Sequence, residues 1–121
     1  MHVWQVCYVD AVKEGRRLAQ NLRNAGADLI IAITHQRMHN DIRLADQVQD
    51  IDLVLGGHDH HYEVTDENKH GTLVVNSGTD FRDLTKLEIR LEYEGSSIND
   101  RSRPCPSGEA VHNIPVRRHC T

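Results

Sequence analysis

Apolar residues recur along the first part of the chain at a spacing that predicts a helix. Between 11 and 24, Val12, Leu18 and Leu22 fall near one face, and charged residues fill much of the rest. Asp10 is a suitable N-cap before this segment, and Gly26 stands where a left-handed C-terminal cap is expected. We therefore expect an amphipathic helix over 11–24.

Two short apolar runs follow, at 28–34 and 51–55. They are apolar at nearly every position, which is typical of parallel strands covered on both faces. Between them, Asn40 or Asp41 is expected to cap a short helix that extends to about Val48. A strand–helix–strand unit of this kind places its two strands parallel in one sheet, with their carboxyl ends at the same edge.

The spacing of apolar residues changes after position 61. The segments 62–65 and 71–76 are predicted strands joined by a polar turn, and 84–93 alternates apolar and charged residues as a half-exposed antiparallel strand does. Beyond 94, glycine, serine and proline predict a linker or disordered tail over 95–121. The expected fold class is α/β, with one folded region over 1–94.

Composition excludes several classes of function. The 121 residues carry a net charge of −4 without a basic cluster of the kind that binds nucleic acid, and no apolar run has the length of a membrane span. The three cysteines are too few and too widely spaced for a disulfide framework or a standard zinc site, even with two histidines near Cys105 and Cys120. No signal-peptide pattern opens the chain, and the compartment stays undetermined.

Histidines follow both predicted parallel strands. His35 comes directly after the first strand, and the second is followed by two glycines and then His58, Asp59 and His60. Ligands collect beyond the carboxyl ends of strands in open parallel sheets, and imidazole is the commonest metal ligand in proteins. The pattern predicts a metal site at which His35 lies near His58 and His60, suited to hydrolysis of a phosphate ester.

These segments resemble the calcineurin-like metallophosphoesterases, and most closely their 5′-nucleotidase branch. The resemblance rests on four stretches, at 26–35, 40–45, 51–60 and 76–82. It implies the second half of a four-layer α/β/β/α sandwich that binds two divalent metal ions, such as Zn, Mn or Fe. By similarity, His35 and His58 would bind one metal and His60 the other.

In that family, the other metal ligands come from an earlier half of the domain, which supplies an Asp-x-His, a bridging Asp and an Asn-His pair. We therefore expect this chain to be the C-terminal part of a catalytic domain, with an upstream half or a partner chain completing the site. The implied substrate is a nucleotide or another phosphate ester, and the residues cannot choose among these.

Several side chains near the histidines have two interpretations. Arg37 could bind a phosphate or be a solvated loop residue, and Asn40 and Asp41 could contact substrate or cap the helix, which we favour. Asp59 is expected to orient an imidazole ring rather than to bind metal. Phe81 follows in a loop that could line the pocket, although packing is its expected role.

Two functions remain open from the sequence. The first is a piece of a metal-dependent phosphoesterase, in which a metal-bound hydroxide attacks the phosphate ester. The second is a non-catalytic metal-binding module or remnant that holds an ion through its histidines. A further expectation is that the chain folds only with a partner, because the strands at 28–34 and 51–55 would otherwise have unpaired edges.

Overall fold

The computed structural model describes residues 6–89 and has two helices and one mixed four-stranded sheet in that range. The elements in chain order are α1 (Ala11–Asn24), β1 (Ile31–Ile33), α2 (Met38–Gln47), β2 (Leu53–Gly56), β3 (Tyr62–Thr65) and β4 (Leu73–Ser77). The α/β class is confirmed. The predicted tail over 95–121 lies outside the described residues.

Helix α1 has the bounds and the caps that its sequence predicts. The Asp10 carboxylate accepts the Val12 N–H at 3.1 Å and the Lys13 N–H at 3.2 Å. At the other end Gly26 adopts a φ of +93°. The Ala27 N–H then reaches the Leu22 carbonyl at 2.9 Å, which is the bond of a Schellman cap. Local signals therefore mark both ends of this helix.

The strands run in the order β1-β2-β4-β3. β1 pairs parallel with β2, β2 pairs parallel with β4, and β3 joins β4 as an antiparallel hairpin. The parallel pairing of the first two strands and the hairpin are confirmed. β2 has a neighbour on each side, so the expected unpaired edge at 51–55 is wrong, whereas β1 lies at an edge of the sheet.

The two faces of the sheet are covered unequally. Both helices pack against one face, where Ile30, Val54 and Val74 join the larger core cluster. On the other face Leu53, Leu73 and Val75 form a smaller cluster. Cover on both faces of β1 is a wrong expectation, because Ile33 is 85% exposed.

The predicted strand over 84–93 is not formed over 84–89, and 90–93 lies outside the described residues. Its alternation still has a structural basis, since Leu87 and Ile89 pack against the smaller cluster. The alternating pattern therefore comes from a segment whose apolar side chains cover the sheet, although its backbone does not pair with a strand. None of the helices within 6–89 has the length and apolar character that a membrane crossing needs.

Candidate functional site

The candidate site lies where β1 and β2 end side by side. Thr34 extends the pairing, since its N–H donates to the Leu55 carbonyl at 2.9 Å and its hydroxyl donates to the same oxygen at 3.3 Å. Directly beyond this pairing, His35 follows β1, and Gly57 and His58 follow β2. A Cβ on Gly57 would lie 3.7 Å from His35 Nδ1, so the two loops are in van der Waals range.

The rings of His35 and His58 contact each other edge to face. Their centroids are 5.3 Å apart and their planes meet at 89°. The predicted proximity of these two residues is confirmed, and both are exposed. Their role as metal ligands stays a prediction.

His60 is also exposed, two residues further along the same loop. Within residues 6–89, no three His, Cys, Asp or Glu side chains are placed to hold one ion together. No hydrogen bond among these residues engages the ring of His35, His58 or His60. The described part of the chain thus presents a histidine pair, with His60 outside any such group of three.

Asp59 links the two loops in a way that the sequence did not predict. Its carboxylate accepts the backbone N–H of Met38 at 2.6 Å, and its other oxygen lies 3.7 Å from the Arg37 guanidinium. The expectation that the Asp59 carboxylate bonds to an imidazole ring is therefore wrong. The Met38 N–H holds the pKa of the Asp59 carboxyl below its usual range, and Arg37 adds to this effect, while burial opposes it.

This contact explains where α2 begins. Asn40 and Asp41 were expected to cap the helix, but it starts earlier, at Met38, and no side chain from its own N-cap residue, Arg37, bonds to it. The Asp59 carboxylate supplies the missing acceptor from 21 positions away in the chain. A signal so distant in sequence could not be found by looking for a cap next to the helix.

Asp41 lies beneath the site rather than on its surface. It is 1% exposed, and its carboxylate accepts the Gln36 amide at 2.9 Å. Gly56 makes this burial possible, because a Cβ at that position would collide with the Asp41 carboxylate. Asn40 is partly exposed, and its N–H donates to the Arg37 carbonyl at 2.8 Å.

Asn76 is a site residue that the sequence analysis did not single out. It is 1% exposed at the end of β4, and its amide donates to the Asp59 carbonyl at 2.6 Å. The side-chain oxygen of Asn76 accepts the Gly78 N–H at 3.4 Å. A polar residue that closes an apolar strand run is the signal that could have identified it.

Two further residues differ in their surroundings. The Arg37 side chain is 66% exposed beside the histidine loops. Phe81 was expected to pack, yet it is fully exposed and has a φ of +55°. The expectation that Phe81 packs is therefore wrong.

Comparison with known proteins gives one curated relative. The chain is 32% identical over 77 residues to the trifunctional nucleotide phosphoesterase protein YfkN of Bacillus subtilis. The match covers 60% of this chain and 5% of the relative, so the chain spans a small part of the relative's length. No family profile and no solved structure matches the chain. The chain is thus similar, over 60% of its length, to a small segment of a nucleotide phosphoesterase.

Proposed function

We propose that this chain forms part of a metal-dependent phosphoesterase of the 5′-nucleotidase type. The observation that carries the proposal is the pairing of His35 with His58 where two parallel strands end. The likeness to a nucleotide phosphoesterase supports the same chemistry. The proposed substrate is a nucleotide or a related phosphate ester.

The separation of the two rings suits a shared metal ion. Imidazole nitrogens bind zinc at about 2.0–2.1 Å, so two rings on one ion have centres about 5 Å apart. The observed centroid separation is 5.3 Å. Both rings are exposed and make no hydrogen bond within the described residues, which leaves their nitrogens available. His60 is proposed to bind a second ion.

Bound divalent ions would supply a hydroxide at neutral pH and would neutralise charge on the phosphoryl group. The residues of this chain would bind and position the reacting groups. Arg37 is exposed beside the histidines, and a guanidinium can pair with two phosphate oxygens at once. Asn40 is a second candidate for substrate contact, whereas the buried Asp41 supports the loop from below.

We propose that polypeptide outside residues 6–89 completes the site. Two divalent ions need carboxylates as well as imidazoles, and Asp59 already uses one oxygen on a backbone N–H. Beside the outer edge of β1, a groove lined by Leu18, Leu22 and Ile33 continues to His35. An extended segment seated there would cover these exposed apolar side chains and bring its own residues to the histidine pair.

The alternative is a metal-binding module without catalysis. The finding that favours it is that no three ligating side chains come together within the described residues. Such a module would bind one ion weakly and would hydrolyse nothing at a useful rate. The number of ions bound distinguishes the two functions.

The test measures metal stoichiometry and hydrolysis with and without a polypeptide proposed to complete the site. The 121-residue chain is expected to bind one Zn²⁺ or Mn²⁺ per chain, and addition of the upstream half of YfkN's corresponding domain should raise this to two. Nucleotide hydrolysis should appear only in the mixture, and His60→Ala should remove the second ion alone. One ion and no hydrolysis with the upstream half present would favour the module instead.

A further inference from the structure

Asp59 joins three separate segments of the chain at the candidate site. Its carboxylate accepts the Met38 N–H at the start of α2, and its own carbonyl accepts the Asn76 amide at the end of β4. Both distances are 2.6 Å. We call this pair of hydrogen bonds the Asp59 link.

The Asp59 link holds the segments that carry the histidine pair. His58 is the residue directly before Asp59, and His35 lies three residues before Met38. Beyond the last strand bonds at Thr34, the loop from His35 to Arg37 turns away into α2. A bond from Asp59 to the first residue of α2 therefore closes this loop against the one that bears His58.

The other arm of the link is fixed to the core. Asn76 is 1% exposed and belongs to β4, which lies between β2 and β3 in the sheet. Both ends of its amide are used, one on the Asp59 carbonyl and the other on the Gly78 N–H. A buried amide held at both ends is a rigid support for a binding loop.

A similar contact elsewhere in the fold serves as a comparison. The Asp46 carboxylate accepts the Lys69 N–H at 3.1 Å and so ties α2 to the β3–β4 turn. The Lys69 ammonium lies 3.0 Å from the other Asp46 oxygen, and this contact, followed by the Lys69 N–H, lowers the pKa of the Asp46 carboxyl. Asp46 carries no histidine pair, so its removal measures what a backbone tie and the accompanying Lys69 ion pair contribute to folding alone.

We infer that Asp59 is a positioning residue that sets the His35–His58 geometry through its bonds to Met38 and Asn76. What the pair binds rests on the proposed function, but the positioning itself does not. Partners that orient metal-binding histidines commonly change metal affinity by 10- to 100-fold when they are removed. The structure assigns this role to a residue whose carboxylate is bound by the Met38 N–H.

The first readout uses the metal-free 121-residue chain. Nuclear Overhauser contacts between the ring protons of His35 and His58 report their packing directly. We expect these contacts to weaken or vanish in Asp59→Ala and, for the other arm, in Asn76→Ser. The matched control Asp46→Ala should lower the melting temperature to a similar extent and leave the ring contacts unchanged.

The second readout is Zn²⁺ affinity measured by calorimetry on the same variants. Asp59→Ala is expected to weaken binding about tenfold or more, and Asp46→Ala to leave it unchanged. Asp59→Asn separates position from charge, because its amide oxygen still accepts the Met38 N–H. It should therefore keep the ring contacts and most of the affinity.

Each result has a definite meaning. Intact ring contacts in Asp59→Ala and Asn76→Ser would overturn the inference, as would a loss in Asp59→Asn equal to that in Asp59→Ala. If the parent chain binds no Zn²⁺ but Asp59→Ala still removes the ring contacts, the positioning role is supported. In that case the proposed metal site, rather than the Asp59 link, would have failed.

Discussion

The two edges of the β1–β2 pair treat polar side chains in opposite ways. At the amino edge, Asp52 accepts both the Arg23 guanidinium, at 2.6 Å, and the Ile30 N–H, at 2.8 Å. Arg23 also donates to three backbone carbonyls, those of Ala27, Asp28 and Asp50. The Arg23 guanidinium and the Asp52 carboxylate are thus both engaged by other groups of the fold.

At the carboxyl edge, the histidine side chains lack hydrogen-bond partners among the described residues. His35, His58 and His60 are exposed, and no hydrogen bond within residues 6–89 engages their rings. Beneath them, the side chains of Asp59, Asn76 and Asp41 are hydrogen-bonded to other groups of the fold. The difference teaches that Arg23 and Asp52 at the amino edge stabilise the fold, whereas the histidine rings at the carboxyl edge have no hydrogen-bond partner among residues 6–89.

The largest expected effect on folding comes from the amino edge. Arg23 and Asp52 are only 20% and 10% exposed, so Arg23→Ala leaves a largely buried carboxylate without its partner. We expect the free energy of unfolding to fall by about 3 kcal/mol, measured by urea denaturation. Zn²⁺ affinity of the folded fraction should not change.

Arg16→Ala is the matched control for this variant. Arg16 donates one hydrogen bond to the Gln47 carbonyl from an exposed position on the same helix. Its removal should cost less than about 0.5 kcal/mol. Equal losses for the two arginines would contradict the structural role assigned to the amino edge.

A smaller effect is expected from the two glycines before His58. Gly56→Ala drives a methyl group into the buried Asp41 carboxylate, which Gln36 holds in place. The expected loss of unfolding free energy is about 2 kcal/mol. Gly57→Ala meets only ordinary contacts at 3.7 Å, so thermal denaturation should show almost no change. A reversed order would show that the carboxyl edge is not supported by Asp41.

The smallest expected effect depends on pH and lies at the start of α1. The hydrogen bond from Arg43, with that from the Lys13 N–H, holds the pKa of the Asp10 carboxyl below its usual value of 3.8. Between the lowered pKa and 3.8, the unfolded chain binds a proton that the folded chain does not. The free energy of unfolding therefore decreases as the pH is lowered. The contribution of Asp10 is present above about pH 4 and is lost as pH falls through the lowered pKa.

Asp10→Asn removes the titrating group and keeps a capping oxygen. The unfolding free energies of the parent and of this variant, measured by urea denaturation, should differ above about pH 4 and converge in stronger acid. A difference that stays constant down to pH 2 would show that Asp10 does not account for the pH dependence.

The parts of the fold that local signals specify could be predicted from the sequence. Helix α1 has its cap at Asp10 and its stop at Gly26 within a few residues of its ends, and the prediction is confirmed at both. The start of α2 could not be predicted, because its capping carboxylate belongs to Asp59 on another loop. Local propensity does not contain that information.

The candidate site divides in the same way. The approach of His35 to His58 follows from two apolar runs that end in histidine and pair as parallel strands. The exposure of Ile33 did not follow, because an apolar strand predicts cover without saying whether residues 6–89 provide it. The support from Asn76 depends on β4 lying beside β2, which the order of elements along the chain does not reveal.

The proposed function requires His35 and His58 to bind one and the same metal ion. Its most direct test is Zn²⁺ calorimetry on His35→Ala, His58→Ala and the double variant, with the exposed His70→Ala as control. We predict that each single variant weakens Zn²⁺ binding about a hundredfold. The double variant should lose much less affinity than the product of the two single losses, because either substitution alone already disrupts a shared site. His70→Ala should have no effect. Losses that multiply, or binding that survives both substitutions, would contradict the shared site.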